Sequence, residues 1–133
     1  MTSRRQPARE RKPAWGPADT AREIALGFIR IHVLHHASEG PVYGIWLLEE
    51  LARHGYRMSP GTLYPILHNL ASRGLLRRSE RLLNGKIRKY YAITAGGRNT
   101  LAQMRRKLSE LAGEVLVGRG AGLRSRKAQG QPG

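Results

Sequence analysis

The sequence contains no cysteine, and only 9 of its 133 residues are acidic. The lack of cysteine excludes disulfide-stabilised modules, thiolate metal sites and cysteine nucleophiles. No apolar run approaches the ~20 residues that a membrane-spanning helix needs. Residues 1–15 are basic but lack the apolar stretch of a secretory signal. We therefore expect a cytoplasmic protein that does not associate with membranes.

Basic residues are far more numerous than acidic ones. Lysine and arginine together number 24, which gives a formal net charge of +15. Eleven of these bases fall within residues 73–107, where Glu80 is the one acid. Like charges at this density repel each other unless a polyanion neutralises them, and nucleic acid is the commonest polyanionic partner. We therefore expect the chain to bind double-stranded DNA and to reside with the nucleoid.

A stretch crowded with apolar residues predicts a first helix over residues 20–37, and apolar residues at helical spacing predict two more over residues 42–54 and 59–73. In the second helix, Ile45, Leu48, Leu51 and Ala52 are expected to form the inner stripe. In the third, Pro65 would break the hydrogen-bond pattern if it lay in mid-helix. We therefore expect regular helix to begin near Thr62, with Pro65 in its first turn.

Two strands, over residues 75–83 and 86–94, are predicted to follow. Asn84-Gly85 between them is the strongest short hairpin signal, because both turn residues need a positive φ. Ile87, Tyr91 and Ile93 alternate onto one face of the second strand. Thr94 is then expected to cap a last helix.

The first and last helices both carry more apolar surface than one small domain can cover. The first is apolar almost all round, and the last has a narrow heptad seam. Both features are explained if these helices pack across a two-fold axis, so we predict a homodimer. The predicted interface residues are Ile24, Phe28 and Ile31 in the first helix and Leu101, Met104, Leu108, Leu111 and Val115 in the last.

The order of elements predicts a mainly α fold with a small β-hairpin wing, a winged helix-turn-helix with a long C-terminal dimerisation helix. The third helix would enter the major groove while the wing lies over phosphates. The expected organisation is a flexible basic arm (1–19), a DNA-binding domain (20–94), a dimerisation helix (95–118) and a flexible basic tail (119–133).

Polar side chains on the third helix and the wing are the candidates for DNA contact. Thr62 and Tyr64 lie near the helix N-terminus, where phosphate is favoured, and His68 and Asn69 could reach base edges. The alternatives are a solvated helix face, a solvated hairpin tip, and an inward-packed Tyr64. The full set is Ser59, Gly61, Thr62, Tyr64, Pro65, His68, Asn69 and Arg73 around the helix and Asn84, Lys86, Arg88, Lys89 and Tyr90 on the wing.

The run Ser-Pro-Gly-Thr-Leu-Tyr-Pro-Ile-Leu from Ser59, with Lys-Tyr-Tyr-Ala-Ile-Thr from Lys89, resembles the PadR-like transcriptional regulators. Gly40-Pro41 and Tyr43-Gly44 are similar to that family's entry to its second helix. The resemblance covers roughly residues 25–116 and implies a homodimeric, ligand-responsive repressor of a palindromic operator. The short C-terminus of the chain is similar to that of the smaller subfamily. The sequence departs from the family at Ile45, where an aromatic residue is common, and at Trp46, where a charged residue is common. Its N-terminal arm is also longer.

Trp46 is the lone aromatic candidate for an effector pocket, and the resemblance implies a flat aromatic or drug-like effector. The alternative is a half-buried surface tryptophan. The sequence predicts no cofactor.

His32, His35 and His36 form a cluster in which His32 and His36 share a helical face, a spacing that can hold a metal. Because carboxylates are scarce nearby, we interpret these histidines as interface or surface residues and assign no metal site. A metal-responsive repressor stays an alternative, as does a non-specific architectural DNA-binding protein. No catalytic motif is present, so the chain is not expected to be an enzyme.

Overall fold

The structure is a computed structural model that describes residues 19–117. Most of the predicted basic arm and all of the predicted tail lie outside these residues. The elements are α1 (Asp19–Ser38), β1 (Val42–Tyr43), α2 (Gly44–Arg53), α3 (Pro60–Ser72), β2 (Leu76–Leu83), β3 (Lys86–Ile93), α4 (Ala95–Ala112) and a π-helical turn (Gly113–Val117). The order confirms the predicted mainly α fold with a β wing.

Helix α1 has two different apolar faces. Ala25, Ile29 and Val33 are buried, whereas Ile24 and Phe28 on the opposite side are exposed. The buried face joins a core formed mainly by Leu47 and Leu51 of α2, Leu63 and Leu67 of α3, and Leu76, Tyr91 and Ile93 of the sheet.

The prediction that α2 begins at Val42 was wrong. Val42 and Tyr43 form the short strand β1, which pairs antiparallel with β3 through Val42↔Tyr91 and Tyr43↔Tyr90. The sheet therefore has three strands in the order β1-β3-β2. The free edge of β3 thus supplies hydrogen-bond partners to the backbone of Val42 and Tyr43. Because the paired residues lie far apart in the sequence, no local pattern predicts this strand.

The predicted inner stripe of α2 was wrong at Ile45, whose side chain is 55% exposed. Gly44, Leu47 and Leu51 are the buried residues of the helix. Their spacing of three and four residues places them on one helical face, where Gly44 packs against Tyr64, and Ile45, one residue after Gly44, lies off that face.

Helix α3 begins at Pro60, two residues before the predicted start, and contains Pro65 within it. The Ser59 carbonyl accepts hydrogen bonds from the Thr62 and Leu63 amides at 3.0 and 3.1 Å. Pro60 is favoured at the first helical position, where no N–H is needed. Pro65 has no N–H to donate, so the carbonyl of Gly61, four residues earlier, lacks its helical hydrogen bond. Gly61 is exposed, so water can supply the missing partner.

The wing is the predicted hairpin. Asn84 and Gly85 have φ angles of 53° and 78°, as a type I′ turn requires. Tyr91 and Ile93 are buried, but Ile87 on the same face of β3 is exposed. The outer half of the hairpin therefore extends beyond the core.

Thr94 caps α4 as predicted. Its hydroxyl accepts a 2.9 Å hydrogen bond from the Gly97 amide and donates one of 2.6 Å to the Gly74 carbonyl. The chain divides into two compact units between Arg98 and Asn99. Along the predicted seam Leu101 is buried, Met104 and Leu108 are partly exposed and Leu111 and Val115 are exposed. Within residues 19–117, no helix is long and apolar enough to cross a bilayer.

Candidate DNA-binding surface

Helix α3 presents one polar face to solvent. Leu63, Ile66, Leu67 and Leu70 are buried. Pro65, His68, Asn69 and Arg73 are exposed, as are Ser59 and Gly61 at the N-terminal end, and Thr62 and Tyr64 are partly exposed.

Asn69 is held in place by its own helix. Its Oδ1 accepts a 3.1 Å hydrogen bond from Arg73 Nε, four residues later. The amide oxygen is therefore engaged, and the NH2 group is the part of the side chain still able to meet an acceptor on a base edge. Because the bond also fixes the guanidinium, Asn69 and Arg73 form one preorganised unit on the exposed face.

Tyr64 packs against the beginning of α2. A Cβ atom placed at Gly44 would overlap the phenol oxygen and ring carbons of Tyr64, so glycine is needed there. Tyr64 is partly buried, and its ring lies 6.3 Å from that of His68. Tyr64 thus lies at the boundary between the packed interior and the exposed face of α3. This position is intermediate between the DNA contact and the inward packing that the sequence allowed.

A groove of about 440 Å³ separates the start of α2 and Tyr64 from the wing strand β3. Its lining includes Tyr43 and Gly44 on one side and Lys86, Arg88 and Lys89 on the other. A helix N-terminus and basic side chains that face one groove form an anion-binding arrangement.

One face of the sheet carries a ladder of stacked aromatic and cationic groups. The Arg88 guanidinium lies over the Tyr43 ring and the Arg81 guanidinium over the Tyr90 ring, each 4.6 Å from the ring centroid. Tyr43 and Tyr90 meet edge to face at 5.4 Å. These contacts restrain Arg88 and Arg81 while leaving their donors available, and such restraint lowers the entropic cost of contacting a phosphate.

Tyr43 and Arg81 were missed from sequence. The register that places Tyr43 opposite Tyr90 depends on the unpredicted strand β1. Arg81 had a usable signal, because it directly opposes Arg88 in a hairpin whose turn was predicted.

The family assignment follows from comparisons with known proteins. The model of the "Transcriptional regulator PadR-like family" matches residues 33–103. The chain is also 52% identical over 97 residues to transcriptional regulator Rv3488 of Mycobacterium tuberculosis, covering 73% of this chain and 91% of that protein. The chain belongs to the PadR-like family of transcriptional regulators.

Solved structures agree with this assignment. A PadR family regulator from Eggerthella lenta is 33% identical with a TM-score of 0.63, covering 72% of this chain and 85% of that one. A PadR-like regulator from Bacillus cereus is 27% identical with a TM-score of 0.65, covering 70% and 92%. PadR-like regulators bind DNA and are not enzymes, which confirms the predicted function class.

In this PadR-like regulator Trp46 lines a second, smaller cavity of about 280 Å³. Its lining also includes His36, Glu39, Val42 and Tyr43. The His36 ring meets the Trp46 ring edge to face at 5.5 Å. The tryptophan chosen from sequence therefore lies beside a cavity, with part of its ring exposed.

The PadR-like chain also brings together more histidines than the sequence cluster contained. His54, at the end of α2, lies 5.0 Å from the His32 ring and 6.1 Å from the His36 ring, centroid to centroid. Glu50, one helical turn before His54, accepts hydrogen bonds from Arg53 and His54 that hold its pKa below the ordinary value. Burial, followed by the neighbouring His54, lowers the pKa of His32, and burial, followed by His35, lowers that of His36.

Proposed function

We propose that this regulator is a homodimeric, effector-responsive repressor that binds a palindromic operator, with α3 in the major groove and the wing on the phosphate backbone. The observation that supports the proposal is the groove lined by Tyr64 of α3 on one side and by Lys86, Arg88 and Lys89 of the wing on the other. A surface of this kind can hold a DNA backbone at its edge while the neighbouring helix reads the bases. Such a repressor would act in the cytoplasm, at the nucleoid.

Phosphate contact is assigned to the wing and to the N-terminal end of α3. Lys86 and Lys89 are exposed, and Arg88 is restrained over Tyr43. Ser59, Gly61 and Thr62 offer hydroxyl and amide donors at the start of α3, where the helix dipole favours an anion. These groups would fix the register on the duplex without reading its sequence.

Base reading is assigned to the outward face of α3. The Asn69 NH2 group is directed by the bond to Arg73, and His68 is exposed one residue earlier. A side chain that reads a base edge contributes about 1–3 kcal/mol of discrimination. Asn69 is therefore the primary reader in this proposal, with His68 beside it and Arg73 holding the amide.

Dimerisation is assigned to apolar faces that are exposed in the chain as described. Ile24 is 57% and Phe28 41% exposed on α1, with Ile31 partly exposed beside them. Leu111 in the last turn of α4 and Val115 in the π-helical turn that follows continue the seam in exposed positions. A second copy would cover these side chains, and its two-fold symmetry would present two α3 helices to two half-sites.

The cavity beside Trp46 is assigned to the effector. Its partly exposed indole and the edge-on His36 ring suit a small planar aromatic compound. Tyr43 lines this cavity as well as the groove assigned to phosphate.

Binding titrations over a range of salt concentrations, on operator and on scrambled DNA, test the division of work. Lys86→Ala or Lys89→Ala should weaken both DNAs alike and flatten the salt slope by about 0.9 per lost contact, or about 1.8 in a symmetric dimer. Asn69→Ala should cost about 1–3 kcal/mol per half-site on the operator and little on scrambled DNA, with the salt slope unchanged.

Lys107→Ala is the matched control, because Lys107 is an exposed base of α4 outside both α3 and the wing. It should leave the salt slope unchanged. If Lys86→Ala changed sequence preference, or Asn69→Ala left the ratio of operator to scrambled affinity intact, the placement of α3 would be wrong. Equal affinity of the unmodified protein for both DNAs would instead indicate an architectural DNA-binding protein.

A further inference from the structure

We propose that His32, His36 and His54, together with Glu50, form a binding site for a divalent transition-metal ion, with zinc as the best fit. The three histidines each offer a ring nitrogen, and these nitrogens all lie within 4.8 Å of one another. This site is separate from the surface assigned to DNA and goes beyond the proposed repressor function.

The buried member of the cluster is His36. Its side chain is only 9% exposed, and its Nε2 is buried with no hydrogen-bond partner among residues 19–117. A buried ring nitrogen without a partner forgoes a favourable interaction. The nearest carboxylate oxygen, Oε2 of Glu50, is 3.7 Å away, which is too long for a hydrogen bond. A metal ion bound between His36 Nε2 and Glu50 Oε2 would give both atoms a coordination partner.

The fourth donor is well placed for tetrahedral coordination. Glu50 Oε2 lies 3.2 Å from His54 Nε2 and 3.7 Å from His36 Nε2. Ligand bonds of about 2.0–2.1 Å in a tetrahedron separate donor atoms by about 3.3 Å. The carboxylate therefore already lies at ligand spacing from two of the histidines, and modest side-chain rotation would bring the nitrogens in from their present separations.

The elements around the cluster allow that rotation. His54 is exposed at the C-terminal end of α2, and Gly55 with φ 92° follows it. His32 and His36 lie one helical turn apart on α1, so both face the same partner. Glu50 is held through its other oxygen, Oε1, by Arg53. Fixing one carboxylate oxygen orients the remaining oxygen, as hydrogen-bonded outer groups do at established metal sites.

The chemistry of the donors selects the ion. Imidazole with one carboxylate suits zinc and its neighbours among the transition metals, whereas calcium and magnesium prefer all-oxygen sites. A second group, His35, His36 and Glu39, shares His36 with the first. It contains one imidazole fewer, and Glu39 is 63% exposed whereas Glu50 is 13% exposed. The first group therefore offers the better site.

Isothermal titration of the untagged full-length chain with zinc chloride tests the assignment. We expect one ion per chain, bound reversibly on addition of a chelator. His54→Ala should weaken binding at least tenfold, because it removes one of four donors while its exposed position spares the core. His68→Ala is the matched control, since His68 is an exposed histidine outside the cluster, and it should bind as the unmodified chain does.

Thermal unfolding gives a second measurement that does not depend on heats of binding. An ion that joins α1 to α2 should raise Tm by roughly 10 °C at a hundredfold excess over Kd. At the same zinc concentration the rise should fall to about half or less in His54→Ala and persist in full in His68→Ala. Lack of saturable binding, or equal loss in both variants, would overturn the proposal. Loss of binding in His35→Ala with retention in His54→Ala would also overturn it, by placing the ion at the other group.

Discussion

Replacing Gly44 by alanine should force Tyr64 out of its position, because the new methyl group would occupy the space of the phenol ring. To restore ordinary contact, near 3.4 Å or more, the ring would have to move by at least about 1 Å. Gly44 is buried at the start of α2 and Tyr64 lies within α3, so movement of either must disturb the packing of the two helices. Overpacking of this kind costs about 1–3 kcal/mol.

A double-mutant cycle in urea isolates the contact from other effects of the added methyl group. Gly44→Ala should lower the free energy of unfolding by about 1–3 kcal/mol beside Tyr64, and by much less in a Tyr64→Ala background. The coupling energy should therefore approach the cost of the single substitution. Affinity for operator DNA should fall with Gly44→Ala as well, since Tyr64 and Gly44 both line the groove assigned to phosphate.

Gly96→Ala is the matched control. A Cβ at Gly96 would meet its nearest neighbour, the Gly74 carbonyl oxygen, at an ordinary 3.5 Å. Alanine there should be neutral or stabilising by up to about 1 kcal/mol, because it is the better helix former. If Gly44→Ala were as mild as Gly96→Ala, or cost the same with and without the Tyr64 ring, the contact would not exist and the reasoning would fail.

Three further predictions concern assembly, the core and the effector cavity. Leu108→Lys should place a charge in the seam of α4 and convert a dimer to a monomer in light scattering, and a monomeric unmodified chain would refute the interface. Tyr91→Phe should leave stability at pH 7 within about 1 kcal/mol, because the buried hydroxyl has no hydrogen-bond partner among the described residues. Burial raises the pKa of Tyr91, and the raising outweighs the opposing effect of Arg78. The folded chain thus loses stability as pH rises past the ordinary tyrosine pKa. In urea titrations above pH 10, the free energy of unfolding should therefore fall less in Tyr91→Phe than in the unmodified chain. An equal fall in both would contradict this. Planar aromatic compounds should quench tryptophan emission in Trp15→Ala but not in Trp46→Ala, and identical responses would leave Trp46 with a packing role alone.

The features predicted correctly from sequence have local causes. The hairpin follows from Asn84-Gly85, where two positive φ angles are required, and the start of α4 follows from the Thr94 hydroxyl. A long stretch crowded with apolar residues located α1. In each case the interaction that determines the structure lies within a few residues along the chain.

The features that were missed depend on residues far apart in sequence. β1 has two residues, too few to show alternation, and it forms only because β3 supplies a free edge. Because β1 occupies Val42 and Tyr43, α2 begins at Gly44, and the packing of Gly44 against Tyr64 of α3 leaves Ile45 on the exposed side of the helix. His54 was not grouped with His32 and His36, because only the packing of α2 on α1 brings it near them.

Tyr43 lines both the groove beside the wing and the cavity beside Trp46. Its backbone pairs with Tyr90 of β3, and its ring supports the Arg88 guanidinium. A compound that shifts Tyr43 from the Trp46 side would therefore alter the basic side chains on the other side. Linkage requires the effect to be reciprocal: if the compound weakens DNA binding by a given factor, DNA weakens binding of the compound by the same factor.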